Sequence, residues 1–395
     1  MRILMILLMV GTFFSITMAQ DKKFQLTQVT YVGITKAQKL LDEGKTDDAK
    51  LVLLDLRDSS KIRKKLDRAY VRFYLGYFYT LVNDANNALK YFKEALTYEA
   101  LAPAQISNTY LNIIQITMEL EKYNESLHYI DELILVAQKP KSQYLVTKAN
   151  IEMILKRYKK VIRDIDKAIK IDKKAKPAWL KMKYYSYYML NDYMSAIGVL
   201  KLLIALEPTN KEYWLQLSSL YSVSNNFNAS MSSLDIANIA KLDLNEAELL
   251  RLISWLQYSD IPYKAAKMME EKIKTKSIAT NEKNLNAIGD LYYEAREYKM
   301  AIKWYKKSAS LSKSSIIYFK IAKIYANERK YEDVVENIKL SLAFKDNKKA
   351  DGSKYLLLGK AYYELSNTIE AKKSFYRAQH FQKSKKIADA WLNYL

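Results

Sequence analysis

The stretch Tyr355-Leu-Leu-Leu358-Gly359-Lys-Ala-Tyr362, followed by Ala371, Phe375 and Ala378, carries the pattern that decides the fold. Bulky apolar residues recur at three- and four-residue spacing, the period of one face of an α-helix. Gly359 and Ala371 interrupt that bulk with small side chains, and two helices cross closely only where a side chain is small. The same layout stands in Leu285-Asn-Ala-Ile288-Gly289-Asp-Leu-Tyr292 with Tyr298, Ala301, Tyr305 and Ser308. It returns at Gly76, Tyr79, Ala88, Phe92 and Ala95, and again at Trp214, Leu217, Tyr221, Phe227, Ser230, Leu234 and Ala237.

Extended along the chain, the small residue of the second helix falls at Ala49, Ala88, Ser126, Val161, Ala196, Ser230, Ala265, Ala301, Val334 and Ala371, in steps of 33 to 39 residues. A first-helix counterpart is visible at Ala37, Gly76, Ala149, Ser218, Gly289, Ala322 and Gly359. Self-similarity at such a period predicts a solenoid of stacked helix pairs. Pro103, Pro140, Pro177 and Pro208 fall between units, where a proline can end one helix and open the next. Ile114, Tyr184 and Ile253 stand where a small residue is expected, so units three, five and seven are expected to pack at altered helix angles.

These residues resemble the tetratricopeptide-repeat (TPR) family, whose Trp-Leu-Gly-Tyr-Ala-Phe-Ala-Pro pattern spans about 34 residues. The resemblance implies an all-α fold, a TPR α-solenoid wound as a right-handed superhelix of about ten helix-pair units. It would occupy residues 28–395, with a C-terminal capping helix over 383–395 in which Ala388, Trp391, Leu392 and Leu395 share one face.

The N-terminus reads as an address. Arg2 precedes an apolar run from Ile3 to Phe14, and Thr17-Met18-Ala19 offers small residues at the positions signal peptidase requires. Residues 1–19 are therefore expected to be a cleaved signal peptide and 20–27 a short linker, which directs the chain to the periplasm. The alternative is an uncleaved anchor holding the chain to the inner membrane, although the run falls short of the roughly 20 residues that span a bilayer. The chain contains no Cys, so it carries no disulfides and relies on apolar burial, for which its 50% hydrophobic residues suffice.

Enzyme readings lack components. The only histidines, His128 and His380, lie far apart, and no thiol is present for nucleophilic or zinc chemistry. Glycine is scarce, and no phosphate-cradling loop occurs. Asp and Glu are expected singly on solvated helix faces beside opposite charges. No enzyme activity, metal, cofactor or small-molecule substrate is expected. Net charge is +21, built from 53 Lys and only 11 Arg spread through every unit. That composition argues against nucleic acid, which leans on the Arg fork, and suits solubility or attraction to acidic envelope surfaces.

In a TPR superhelix the first helices line the concave binding surface. Counting from the small residue to positions one after, three before and six before gives Tyr70, Phe73 and Tyr77 in unit two. Lys181, Tyr185 and Tyr188 are the candidates in unit five. This aromatic, partly basic set suits a protein or peptide partner. The carboxylate clamp of chaperone-binding family members requires Lys and Asn at these positions. Only Asn150 fits among Tyr77, Gln115, Asn150, Tyr185 and Ser219, and its companions Val146 and Met182 do not, so the clamp is absent.

Glu246-Ala-Glu-Leu-Leu-Arg-Leu, Ile261-Pro-Tyr-Lys-Ala-Ala-Lys-Met-Met-Glu270, Ile278-Ala-Thr-Asn281 and the closing Ala388-Asp-Ala-Trp391-Leu-Asn-Tyr-Leu395 are similar to a narrower group. These are exported bacterial TPR proteins that accompany TonB–ExbB–ExbD energy-transducing systems. The resemblance covers about residues 240–395 and implies a periplasmic accessory that binds TonB-, ExbB- or ExbD-like components. The competing readings are a cell-envelope assembly or division scaffold and an inner-membrane-anchored adaptor.

Overall fold

The computed structural model describes residues 24–137, 141–312, 314–344 and 352–395. The expected signal segment, the first half of the linker and Pro140 lie outside the described residues. Among the described residues the regular structure is 21 α-helices without a strand. Contacts group the chain into two compact units, one ending at Leu203 and the other beginning at Ile204. In the first unit α1 (Gln28–Asp42) pairs with α2 (Thr46–Asp58), α3 (Lys65–Leu81) with α4 (Ala85–Thr97), and α5 (Pro103–Glu119) with α6 (Tyr123–Val136). Next come α7 (Ser142–Ile154) with α8 (Tyr158–Asp172) and α9 (Pro177–Met189) with α10 (Tyr193–Leu206), within whose last turn the division falls. The second unit pairs α11 (Lys211–Val223) with α12 (Phe227–Ile239), α13 (Glu246–Tyr258) with α14 (Pro262–Lys274), and α15 (Glu282–Glu294) with α16 (Tyr298–Ser312). It continues with α17 (Ser315–Asn327) and α18 (Tyr331–Ala343), α19 (Ser353–Glu364) and α20 (Thr368–Gln379), then α21 (Gln382–Tyr394). Ten hairpins and a closing helix make this a helical repeat fold.

One turn is used ten times. Each hairpin leaves three residues between its helices, and the middle one has positive φ: Gly44, Asn83, Glu121, Lys156, Asn191, Asn225, Asp260, Arg296, Arg329 and Ser366. The N–H of the next residue then donates to the carbonyl five positions back, as Asp84 to Tyr79 (2.9 Å), Lys122 to Thr117 (2.8 Å) and Glu297 to Tyr292 (2.9 Å). This is the Schellman closure, which satisfies carbonyls that the helix end would leave without partners. Side-chain caps open several of the second helices, where Asp84, Asn226 and Asn367 accept from the backbone N–H of Asn87, Ala229 and Glu370. Pro103 and Pro177 take the first turn of α5 and α9, where a missing N–H costs nothing.

Close packing follows the small residues. A β-carbon at Gly76, Gly289 or Gly359 would run into the ring of Phe92, Tyr305 or Phe375, each sixteen residues further on in the partner helix. Where Ser218 and Ser230 hold the crossing positions, their hydroxyls meet at 3.0 Å. Ile114 in unit three is itself buried, and the polar contact moves one helical turn on, with Ser126 Oγ donating to Thr117 Oγ1 at 2.7 Å. In unit five the fully buried small side chain is Ser186, two residues past Tyr184. At the C-terminal end α21 lays Trp391 flat on Phe375, with centroids 5.3 Å apart and planes 7° from parallel, and buries Ala388.

Candidate functional site

The seven candidate residues separate by burial. Phe73 on α3 meets Tyr74 edge-on at 5.4 Å and Phe92 of α4 at 5.9 Å. Tyr70 and Phe73 also pack against Ala69, Ala95 and Leu101, and burial raises the Tyr70 hydroxyl above its ordinary pKa. Burial pushes neighbouring Tyr74 up to about 12. Tyr77 is likewise half-buried against the first unit's core. These rings fill the joints between hairpins. Asn150 is half-buried, beside buried Val146 and Ala149. Lys181, Tyr185 and Tyr188 on α9 are exposed, the two tyrosines at 45% and 46%. Tyr185 touches Tyr158 of the preceding hairpin edge-on (6.1 Å), and Tyr188 lies between Tyr184 (6.4 Å) and Tyr193 (6.2 Å). Rings held in this way keep an apolar face outward without losing much rotamer freedom on contact.

A second feature sits on the first helices of the second unit. Between α11 and α13 lies a hollow of about 570 Å3, lined by Ser218, Ser219, Ser222, Val223, Ser230, Arg251, Ser254, Trp255 and Tyr258. An adjoining hollow of about 640 Å3 is lined by residues 225–228 and 258–260. Tyr258 forms part of both walls. Phe227 stacks on Trp255 at 5.0 Å, and Tyr258 stands edge-on to Phe227 (5.6 Å) and Trp255 (5.8 Å). Ser219 and Ser254 each follow a crossing position by one residue and donate to their own helix at Leu215 and Leu250 (both 2.9 Å). The sequence offered Ser219 only as a residue that fails the clamp pattern. Ser254, Trp255 and Tyr258 gave no repeat-level signal, because they follow Ile253, one of the atypical crossing residues.

Some of the residues that carry the resemblance after position 240 do structural work. Glu246 Oε1 accepts from Ala279 N–H and from Asn284 Nδ2, both at 3.1 Å, tying the start of α13 to the loop before α15. Asn281 caps α15 by accepting from Asn284 N–H (2.8 Å), and Pro262 opens α14.

One expectation is corrected. The carboxylates do not all lie singly on solvated faces: Glu152 of α7 and Asp164 of α8 are buried together at 1% exposure each. Burial first, then the Asp164 carboxylate, push Glu152 up to about 7. Lys148, Arg163 and Lys167 approach Asp164 at 3.8, 3.5 and 3.7 Å. The repeat pattern hid this pair because both residues sit in helical positions that elsewhere hold apolar or small side chains. Among the described residues no group of three or more His, Cys, Asp or Glu side chains is placed to hold a metal ion, and no helix is long and apolar enough to cross a membrane.

These features define a helical-repeat protein whose outward-facing chemistry is aromatic, hydroxylic and basic. Residues 283–315, covering most of α15 and α16, match the family model described as tetratricopeptide repeat. No curated protein sequence matches the chain. Among solved structures it is similar to a tetratricopeptide repeat protein from Parabacteroides merdae, with 15% identity over 80% of this chain and 100% of that one and a TM-score of 0.38. It is also similar to YrrB, titled a TPR protein with an unusual peptide-binding site, with 14% identity over 48% and 95% of the two chains and a TM-score of 0.37. A third likeness is to the APC/C hetero-tetramer Cut9–Hcn1, with 13% identity over 92% and 83% and a TM-score of 0.30.

Proposed function

We propose that this protein is a non-enzymatic scaffold that binds other proteins along the first helices of its hairpins. The observation that carries this reading is the exposed set Lys181, Tyr185 and Tyr188 on α9, with its rings braced by Tyr158, Tyr184 and Tyr193. Exposed aromatic rings on a rigid helix supply large contact area at low entropic cost, the composition of interface cores. The partner proposed is a periplasmic part of a TonB–ExbB–ExbD-type motor, with the protein exported to the periplasm as an accessory of that transport system. Support for this finer reading comes from the resemblance of residues 246–281 and 388–395 and from the apolar N-terminal run.

A photoreactive residue at Tyr185, crosslinked in living cells, tests it. Capture of a TonB-, ExbB- or ExbD-like protein supports partner and compartment together. A deletion strain with unchanged TonB-dependent uptake, and no motor component in the captured fraction, would sink the transport assignment. The net charge of +21 favours one rival, an envelope scaffold that meets acidic surfaces. Salt-sensitive sedimentation with purified peptidoglycan, alongside capture of assembly proteins only, would move the function there.

A further inference from the structure

The hollow between α11 and α13 combines a cation, hydroxyls and a braced aromatic wall. Arg251 is one of only 11 arginines, and the only one between Arg163 and Arg296. It is exposed, and among the described residues it makes no ion pair. Glu248, three residues earlier on α13, is engaged elsewhere: it closes the capping box with Asn245 and meets Lys211 at 3.3 Å. Asp260 lines the adjoining hollow, beyond Tyr258. A guanidinium presents parallel donors that fit a carboxylate in a way a lysine ammonium does not. Beside it Trp255, stacked on Phe227, and Tyr258 (71% exposed) offer apolar faces.

We propose that this hollow receives a carboxylate side chain of an acidic protein segment, held by the Arg251 guanidinium, while an adjacent apolar side chain lies on Trp255 and Tyr258. The inference rests on the binding-scaffold reading and narrows the partner to an acidic, partly apolar segment. The net charge of +21 adds long-range attraction for such a segment.

Calorimetric titration of the full chain at low salt with an acetylated, amidated peptide of alternating Asp and Leu tests this, with an Asn–Leu peptide as control. The Asp–Leu peptide is expected to bind at least about tenfold more tightly than its amide counterpart, the scale of one charge-assisted contact. Arg251→Gln and Trp255→Ala are each expected to remove about tenfold, and Arg251→Lys less, with unchanged melting curves showing that the fold is intact. Equal binding of the two peptides, or Arg251→Gln binding as the parent does, overturns the assignment. So does an oligonucleotide that occupies the hollow with the same Arg251 dependence and displaces the peptide, since that marks a polyanion site. If Arg251→Gln is silent while crosslinking at Tyr185 still captures a partner, this site fails and the scaffold reading stands. If neither peptide binds and crosslinking captures nothing, both fail.

Discussion

The ring of Phe92 on α4 covers Gly76 on α3 so closely that a β-carbon at the glycine would stand 2.7 Å from Cδ1 of the ring. The same sixteen-residue relation joins Gly289 to Tyr305 and Gly359 to Phe375. Where the crossing residue is larger, the residue sixteen on is aliphatic and buried: Leu53 after Ala37, Ile165 after Ala149, Leu234 after Ser218 and Ile338 after Ala322. Volume is thus shared between the two positions, glycine with a ring and alanine or serine with a branched aliphatic chain.

Gly76→Ala therefore inserts a methyl against a ring that has nowhere to go. Overpacking of this kind costs roughly 1–3 kcal/mol, against which the better helix propensity of Ala returns up to about 1 kcal/mol. The variant is expected to melt below the parent by circular dichroism. Phe92→Leu alone leaves a cavity and also destabilises. The double variant, which recreates the Ala–Leu arrangement of Ala37 and Leu53, is expected to be more stable than the two single losses sum to, with a coupling of about 1 kcal/mol or more. Strict additivity would show that the two positions do not share volume.

The left-handed turn residues set up a second expectation. Glu121 and Arg329 hold φ of 58° in exposed turns, a region that costs an L residue roughly 1–2 kcal/mol and glycine almost nothing. Glycine also loses more freedom on folding, which offsets part of the gain. Glu121→Gly and Arg329→Gly are each expected to raise stability by about 0.5–1 kcal/mol, read as a higher melting temperature, whereas Glu121→Ala is expected to change little. A lower melting temperature for both glycine variants would contradict the turn assignment.

These turns show where legibility in the sequence stops. The crossing positions could be found because bulk is disfavoured there, so Gly, Ala and Ser recur at most of them, at a period that counting detects despite Val161, Val334 and the bulky Ile114, Tyr184 and Ile253. The turn recurs just as strictly, yet only Gly44, Asn83, Asn191, Asn225 and Asp260 carry the residue types that usually announce a left-handed conformation. Glu121, Lys156, Arg296 and Arg329 adopt it because the helices on either side are fixed by packing. Tertiary structure overrides local preference there. Tyr70 and Phe73 stood out as aromatics on the expected face, but helical phase cannot separate a ring in a joint between hairpins from a ring in solvent. The hollow at Arg251 was illegible for a related reason: its residues come from three helices, and only Ser218 and Ser230 among them follow the repeat rule.

Glu152 gives the pH dependence a sign. Its folded-state value of about 7 stands above the ordinary 4.5, so the folded state holds the proton more tightly than the unfolded chain does. The stability that goes with the retained proton is complete below about pH 4.5 and is lost as pH rises through 7. At roughly 1.4 kcal/mol per pKa unit the loss is on the order of 3 kcal/mol. Denaturant unfolding followed at pH 5 and pH 8 should show the first unit weaker at pH 8, and Glu152→Gln should flatten the difference. A Glu152→Gln protein that keeps the full pH dependence would assign it to another group.

The candidate binding residues make opposite predictions about stability and binding. Phe73 touches Tyr74 and Phe92 and helps close the joint against Leu101, so Phe73→Ala is expected to cost about 2–4 kcal/mol and to lower partner capture only as far as it unfolds the chain. Tyr185 and Tyr188 are nearly half exposed and rest on other rings, so their replacement by Ala is expected to leave stability within about 1 kcal/mol. If α9 is the binding face, the Tyr185→Ala/Tyr188→Ala chain keeps its melting curve and loses most of the crosslinked partner captured from a neighbouring position such as Lys181. Stability and binding are then carried by different aromatics on equivalent helices. Undiminished capture by that double variant, with its fold intact, would move the binding face away from α9 and leave the hollow at Arg251 as the remaining site on the first helices.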